Sequence, residues 1–331
     1  MTAATTTAPE RRTFAVGDFV RDNAWTLGLI VFLLLLIGFT RLIQPSYGVS
    51  GIQNLAVSVL PLALAAVGQA IVVIAGGIDL SIASMMALTS VVAATQMKDQ
   101  PTEVTVVVAI GVLALGLVLG LVNGGLVVVT RVPDIVVTLA MSFVWAGFAL
   151  LVIQVPGGAG AGWLKDLAKG FVGIEWIPKP ALVLILIVAV VWIPVRRSRL
   201  GLSIYAIGSS QLAAFRSGVS VGRTKVAAYM LTGLFSACAG LALVATASVG
   251  TPLPGGYTLL SVAAIVLGGV SLAGGRGGIV GPIVAVMIIS LMQTDMTFLG
   301  VNPNLATVAQ GAILIGVVML GSLTQLRRNR R

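Results

Sequence analysis

The chain has 331 residues, 58% of them hydrophobic and only 9% charged, whereas a soluble domain carries about 25% charged residues. It contains no histidine and one cysteine, Cys238, which excludes an internal disulfide and removes the commonest metal ligand and proton shuttle. The formal net charge of +10 reads first as membrane topology rather than as a nucleic-acid surface, because apolar spans fill nearly the whole length.

In chain order, residues 1–24 form a cytoplasmic N-terminal tail. Its first thirteen residues are rich in Thr and Ala, and Phe14 to Asn23 suits a short interfacial helix. No cleavable signal peptide is expected, because the polar segment before the first apolar run is long and that run is span-length. The expected fold class is all-α, a polytopic membrane protein of about ten transmembrane helices. The spans read as 25–43, 52–75, 80–97, 104–129, 135–153, 180–195, 225–247, 258–273, 279–298 and 304–323. Residues 25–323 make one transmembrane domain, and 324–331 a basic cytoplasmic tail. The eighth span is short for a crossing. The 40 glycines allow close packing of helices through small residues.

Basic residues set the orientation. With both termini in the cytoplasm, only Arg41, Lys98, Lys165, Lys169 and Lys179 of the 20 lysines and arginines fall outside. The external segment 154–179 contains Gly, Pro, Trp163 and Trp176, the tryptophans at interfacial positions. The longest cytoplasmic connection, about 198–225, is basic. Its centre, Ser210 to Ser217, suits a short helix ended by Gly218.

The apolar run from Ile52 to Met97 is broken once, at Gly76-Gly77-Ile78-Asp79. Glycines let a helix end or bend, and an intramembrane aspartate needs a partner or water. Asp79 has three readings: a cap for the span that follows, a group lining a pathway, or a contact for a cytoplasmic partner. Ala75 to Ser81 is echoed by Leu267 to Ala273, with Gly268-Gly269 opposite Gly76-Gly77. Gly274 and Gly275 begin a tight inner turn around Arg276. That turn lacks the Gly-Lys-Ser/Thr ending of a phosphate loop.

Intramembrane polar residues are few. The candidates for a solute path are Asn54, Gln69, Asp79, Asn123, Gln293 and Asp295, with Thr138, Ser142 and Gln310 beside them. For any one of them, hydrogen bonding between helices is the plainer reading. The lack of buried basic residues argues against an anionic solute. Asp134, after Arg131-Val132-Pro133, suits a helix start, where a carboxylate complements the dipole. No catalytic motif or Walker sequence occurs.

Several stretches, in order, resemble the sugar-importing ABC permeases of the ribose type. They are Gly76 to Ser81 with Met86 to Leu88, Gly120 to Gly124, Arg131 to Leu139, Leu200-Gly201 with Ile204 to Gly208, Ala213 to Gly218, Val266 to Gly278, and Leu299 to Val301. They span about residues 50–320. The resemblance implies a multi-pass protein of the bacterial inner membrane, working as a homodimer. Its further partners would be an extracytoplasmic sugar-binding protein, membrane lipid and a cytoplasmic ATPase with two nucleotide-binding halves; no nucleic acid is involved. It implies no cofactor in this chain, with ATP and Mg on the ATPase. It places an ATPase-coupling helix at Ser210, Gln211, Ala213, Ala214, Arg216 and Gly218. The family's frequent Asn-Glu is here Ser210-Gln211, which removes a charge contact. Two alternatives stay open: a permease of the same superfamily for branched-chain amino acids, nucleosides or a signalling sugar, and an ion-coupled secondary transporter. An intramembrane enzyme lacks its catalytic pairs.

Overall fold

The computed structural model describes residues 23–302 except Pro254, and isolated positions between 304 and 316; the side chains of residues 174–176 are outside the description. The terminal tails, nearly all of the expected interfacial helix, the Trp176 side chain, Gln310 and most of the last expected span lie outside the described residues.

Among the described residues the chain is helical apart from one short ribbon. The elements are α1 (Ala24–Ile43), α2 (Val49–Ile74), α3 (Ile82–Met97), α4 (Thr102–Thr130), α5 (Asp134–Val152), α6 (Gly162–Ala168), β1 (Phe171–Val172), β2 (Ile174–Pro178), α7 (Lys179–Arg197), α8 (Arg199–Ser209), α9 (Gln211–Arg216), α10 (Val221–Ala247), α11 (Tyr257–Leu267) and α12 (Val280–Phe298). β1 and β2 pair antiparallel. Seven helices, namely α1, α2, α4, α5, α7, α10 and α12, are long and apolar enough to cross a membrane. The connection 154–179, expected outside, is therefore not a plain loop. It holds α6 and the ribbon, and Trp163 is pinned there by its indole N–H, which donates to Thr105 Oγ1 at 2.9 Å.

The layering follows from which faces are apolar and which are small. α2 and α10 are buried along most of their length, whereas α1, α5 and α7 expose most of theirs. The exposed side chains are large and apolar, for example Leu35, Val107, Phe143 and Leu186, as a helix facing lipid requires. α10 can sit at the centre because α4 offers it a track of glycines, Gly116, Gly120 and Gly124. A Cβ at Gly120 would strike the carbonyl of Tyr229, and one at Gly116 would meet the carbonyl of Gly233 at 2.5 Å. The backbones thus approach as closely as small-residue stripes permit.

Two expected spans hold short helices: within 80–97, α3 has 16 residues, and within 258–273, already short for a crossing, α11 has 11. A crossing needs about 20 residues. Each is a partial helix preceded by non-helical chain. Before α3 that chain is 75–81; before α11 it is, among the described residues, 248–253 and 255–256.

Both helices that lead into a glycine break, α2 and α11, end in the same way. Gly76 has φ +82 and Gly269 has φ +82, the left-handed region that glycine enters without cost. The Gly76 N–H donates to Val73 O at 2.9 Å and the Gly77 N–H to Val72 O at 2.9 Å; the Gly269 N–H donates to Val266 O at 3.0 Å and the Val270 N–H to Ile265 O at 2.9 Å. These are Schellman-type closures. The echo in the sequence is thus structural, with its register moved by one: Gly76 corresponds to Gly269, not to Gly268. Both helices run toward the same end of the bundle, so the pair is a parallel rather than an inverted repeat.

Candidate functional site

Three segments meet at the end of the bundle that carries Arg131, Arg196, Arg216, Arg223, Lys225 and Arg276. This basic end is built around the break after α2. The Gly275 N–H donates to the carbonyl of Ile74 at 2.9 Å, so a loop between α11 and α12 satisfies an orphan carbonyl of α2. Gly208, near the end of α8, lies against both. A Cβ on Gly208 would collide with Ile74 O and would come within 2.6 Å of the Gly275 nitrogen; one on Gly274 would come within 3.0 Å of the Gly76 Cα. The Tyr205 hydroxyl adds a bond from α8 to the same loop, donating to Gly277 O at 2.9 Å. Burial pushes the Tyr205 phenol up, against a smaller lowering by Arg196, which keeps it a donor. On the far side of that loop, the Trp25 indole N–H donates to Leu267 O at 2.8 Å. A Cβ on Gly269 would meet that indole at 2.7 Å.

The break itself is clamped from α5 and α10. Lys225 Nζ lies 3.1 Å from Asp134 Oδ1, and the Tyr229 hydroxyl donates to Asp134 Oδ2 at 3.1 Å. Asp134 is therefore more than a dipole partner at the start of α5. A Cβ on Gly77 would come within 2.6 Å of Asp134 Oδ2, so only glycine fits beneath the ion pair. Thr138 holds the next residues. Its hydroxyl donates to Ile78 O at 3.1 Å and accepts from the Leu80 N–H at 3.1 Å.

Beyond Leu80 the chain climbs into the bundle. Asp79 and Asn123 are both fully buried. Asp79 Oδ1 accepts from the Ser81 N–H at 2.8 Å and from the Ser81 hydroxyl at 2.6 Å. Asn123 Nδ2 donates to Ser81 Oγ at 2.7 Å, and the Trp145 indole donates to Asn123 Oδ1 at 3.1 Å. One polar chain thus ties α3, α4 and α5 together. It sits about 10 Å inside the basic end, counting seven residues of helix rise from Asn123 to Thr130. Asp79 Oδ2 takes no hydrogen bond among the described residues. Asp79 is not a side-chain cap of α3: it accepts from Ser81, the residue just before the helix, and no side chain caps α3.

The other path candidates do not converge on this network. Gln69 is fully buried within α2, its amide unbonded among the described residues. Asn54 and Gln293 are exposed. Asp295 is buried beside Thr40 and Tyr47 at the opposite end.

The expected coupling segment is a helix, as read. The Ser210 hydroxyl caps α9 by accepting from the Ala213 N–H at 3.3 Å. Gly218, at φ +82, closes it: its N–H donates to Phe215 O at 2.9 Å and the Val219 N–H to Ala214 O at 3.0 Å. Ala214 faces the bundle, while Gln211, Ala213 and Arg216 are exposed. The sequence reading did not single out Leu212 and Phe215. They are 61% and 68% exposed and, three residues apart, share the outward face. Their signal was available: two large apolar residues in a basic, polar connection. No three His, Cys, Asp or Glu side chains converge on a metal site among the described residues.

The chain matches, over residues 51–318, the family described as the permease component of branched-chain amino acid transport systems. It is 32% identical over 303 residues to the ribose import permease protein RbsC of Escherichia coli K12, covering 89% of this chain and 93% of that protein. It is 30% identical over 266 residues to the autoinducer 2 import system permease protein LsrD of Escherichia coli K12, covering 78% of this chain and 79% of the relative. The same identity and coverage hold for LsrD of Shigella flexneri. No solved structure gives a significant match. A glycine-broken bundle with a helical knob at its basic end, matched over most of its length by import permeases, belongs to the BPD_transp_2 family of ABC transporter permeases.

Proposed function

We propose that this chain is the membrane-spanning subunit of an importer for a monosaccharide or similar neutral polyol, working as a homodimer. An extracytoplasmic binding protein would deliver the solute, and a separate ATPase carrying ATP and Mg would drive transport. The basic end is cytoplasmic by the positive-inside rule. The observation that carries the reading is α9, which presents Leu212 and Phe215 outward from a segment one residue beyond Ser209. A partner cleft that buries these two side chains gains a grip on α8. Through Gly208 that grip reaches the glycine break after α2 and the Gly274-Gly275 turn that follows α11. Closing of the ATPase halves would thus bias the positions of α2 and α11, and with them the bundle, by population shift.

The ribose and autoinducer 2 relatives favour a sugar-like solute over a branched-chain amino acid. The test is a pull-down from detergent-solubilised native membranes, followed by reconstitution with what co-purifies. Recovery of a two-halved ATPase, and ATP-driven uptake of D-ribose or a related sugar, is the expected result. A stable, active permease with no ATPase, whose uptake collapses with an uncoupler and persists without ATP, would place an ion-coupled carrier first.

A further inference from the structure

Residues 248–256 were read as an external connection, yet the chain enters the bundle there. At its start, the Gly250 N–H donates to Gly157 O at 2.8 Å, at the end opposite the basic one. Next, the Thr251 N–H donates to Ser90 Oγ at 3.1 Å. Ser90 is halfway along α3. Finally, the Thr258 hydroxyl donates to Leu80 O at 3.3 Å, just before α3 begins. Ser90 lies eight residues into α3 from Ile82, about 12 Å of helix rise, and Leu80 is two residues before that start. The chain therefore descends beside α3 without helical structure, and α11 starts only at the depth of Leu80.

Non-helical backbone at this depth is tolerated only inside protein or along a water-filled cavity. Gly250 and Pro252 are buried in the protomer, but the chain beyond them is not. Leu253 is 64% and Leu259 is 74% exposed, and Gly255 and Gly256 are exposed too. Among the described residues, no hydrogen bond engages the N–H groups of Leu253, Gly255 and Gly256. A lipid-facing surface would leave these donors in hydrocarbon, at several kcal/mol each. The segment itself is uncharged: no Asp, Glu, Lys or Arg occurs between Lys225 and Arg276.

We infer that Thr251, Leu253, Gly255, Gly256 and Leu259 form one wall of the solute passage, completed by a second copy of the chain. Free backbone donors and acceptors match the hydroxyls of a neutral polyol, and the two leucines match its apolar C–H faces. A neutral wall offers no counter-charge to a zwitterionic amino acid or an anion. The importer reading underlies this assignment, and the test separates the two.

Leu253→Cys, Gly255→Cys and Leu259→Cys are made singly in a Cys238→Ser background and reconstituted with the ATPase and binding protein. Leu35→Cys, on the lipid face of α1, is the control. A charged, water-soluble methanethiosulfonate is expected to modify the three wall positions and abolish ATP-driven D-ribose import, while leaving Leu35→Cys unmodified. An apolar maleimide should label all four. The inference is overturned if the folded wall variants react only with the apolar reagent while ATP-driven import persists. Absence of ATP-driven import in the unmodified Cys238→Ser parent and in the wild type would instead sink the importer reading. Because three positions are probed separately, a variant that fails to insert leaves the other two to decide.

Discussion

The Gly275 N–H closes the last turn of α2 by donating to Ile74 O at 2.9 Å, and Gly208 packs against that bond with no room for a Cβ. Three distant parts of the sequence are thereby brought into backbone contact, and the Tyr205 hydroxyl adds a bond from α8 to the same loop. Glycine packed against backbone leaves this joint little room to yield. Movement of α8 must carry the ends of α2 and α11 with it or break the contact.

Gly208→Ala tests the joint directly. The added methyl overlaps Ile74 O, and overpacking of this kind costs about 1–3 kcal/mol. The variant should assemble with its partner ATPase yet import poorly, with ATP hydrolysis no longer raised by the loaded binding protein. Gly28→Ala, where a Cβ meets nothing within 4 Å, should match the wild type in both assays. Full import by Gly208→Ala would show that the contact is loose in the working protein.

The ion pair above Gly77 predicts a non-additive series. Lys225→Met leaves a carboxylate mostly buried under the break, and Asp134→Asn leaves an ammonium there. Both side chains are 15% exposed, so each single change should cost about 2–3 kcal/mol, below the ~3–5 kcal/mol of a fully buried pair. The double variant should lose less than the sum, because neither charge is then stranded. Thermal unfolding in detergent reads the difference. Strict additivity would mean that the two groups do not share a bond in solution.

How far the sequence carries can be judged from particular residues. Gly76-Gly77, α9 with its Gly218 stop, and the long spans are local features, and local patterning identifies them. The partners of Asp134 are not local: Lys225 and Tyr229 lie 91 and 95 positions away, so its boundary position alone suggested only a dipole contact. The descent of 248–256 was hidden for a similar reason. Pro252, Pro254, Gly255 and Gly256 mark any loop, inside or outside a membrane. What draws this one inward is its pairing with Ser90 and Leu80, which belong to another helix and its lead-in. The one-residue shift between Gly76 and Gly269 likewise depends on which carbonyl each N–H finds.

The glycine track on α4 gives a sharp pair of variants. Gly120→Leu drives a side chain into the Tyr229 and Met230 backbone of α10. Gly111→Leu, on the same helix, meets nothing within 4 Å and should gain slightly in helix propensity, about 0.8–1.0 kcal/mol at most. The first should abolish folded protein in the membrane, and the second should express normally. Size-exclusion chromatography of the solubilised protein distinguishes them. Equal yields would mean that α4 and α10 are not in backbone contact.

The outward face of α9 yields the last prediction. Leu212→Ser and Phe215→Ser remove apolar side chains that the isolated chain leaves in water, so folding should be unaffected or slightly favoured. Their loss should be felt only in the complex. Fully burying such a side chain contributes about 1.5–3 kcal/mol, so each change should weaken ATPase association by roughly one to two powers of ten, and the pair together should prevent co-purification. Arg216→Gln alters charge beside them and, if it pairs with an acidic residue on the ATPase, should make association less sensitive to salt. Unchanged ATPase recovery with the doubly substituted α9 would mean that the partner grips the bundle elsewhere, and the contact would then have to be sought on α8, where Leu202 is 71% exposed.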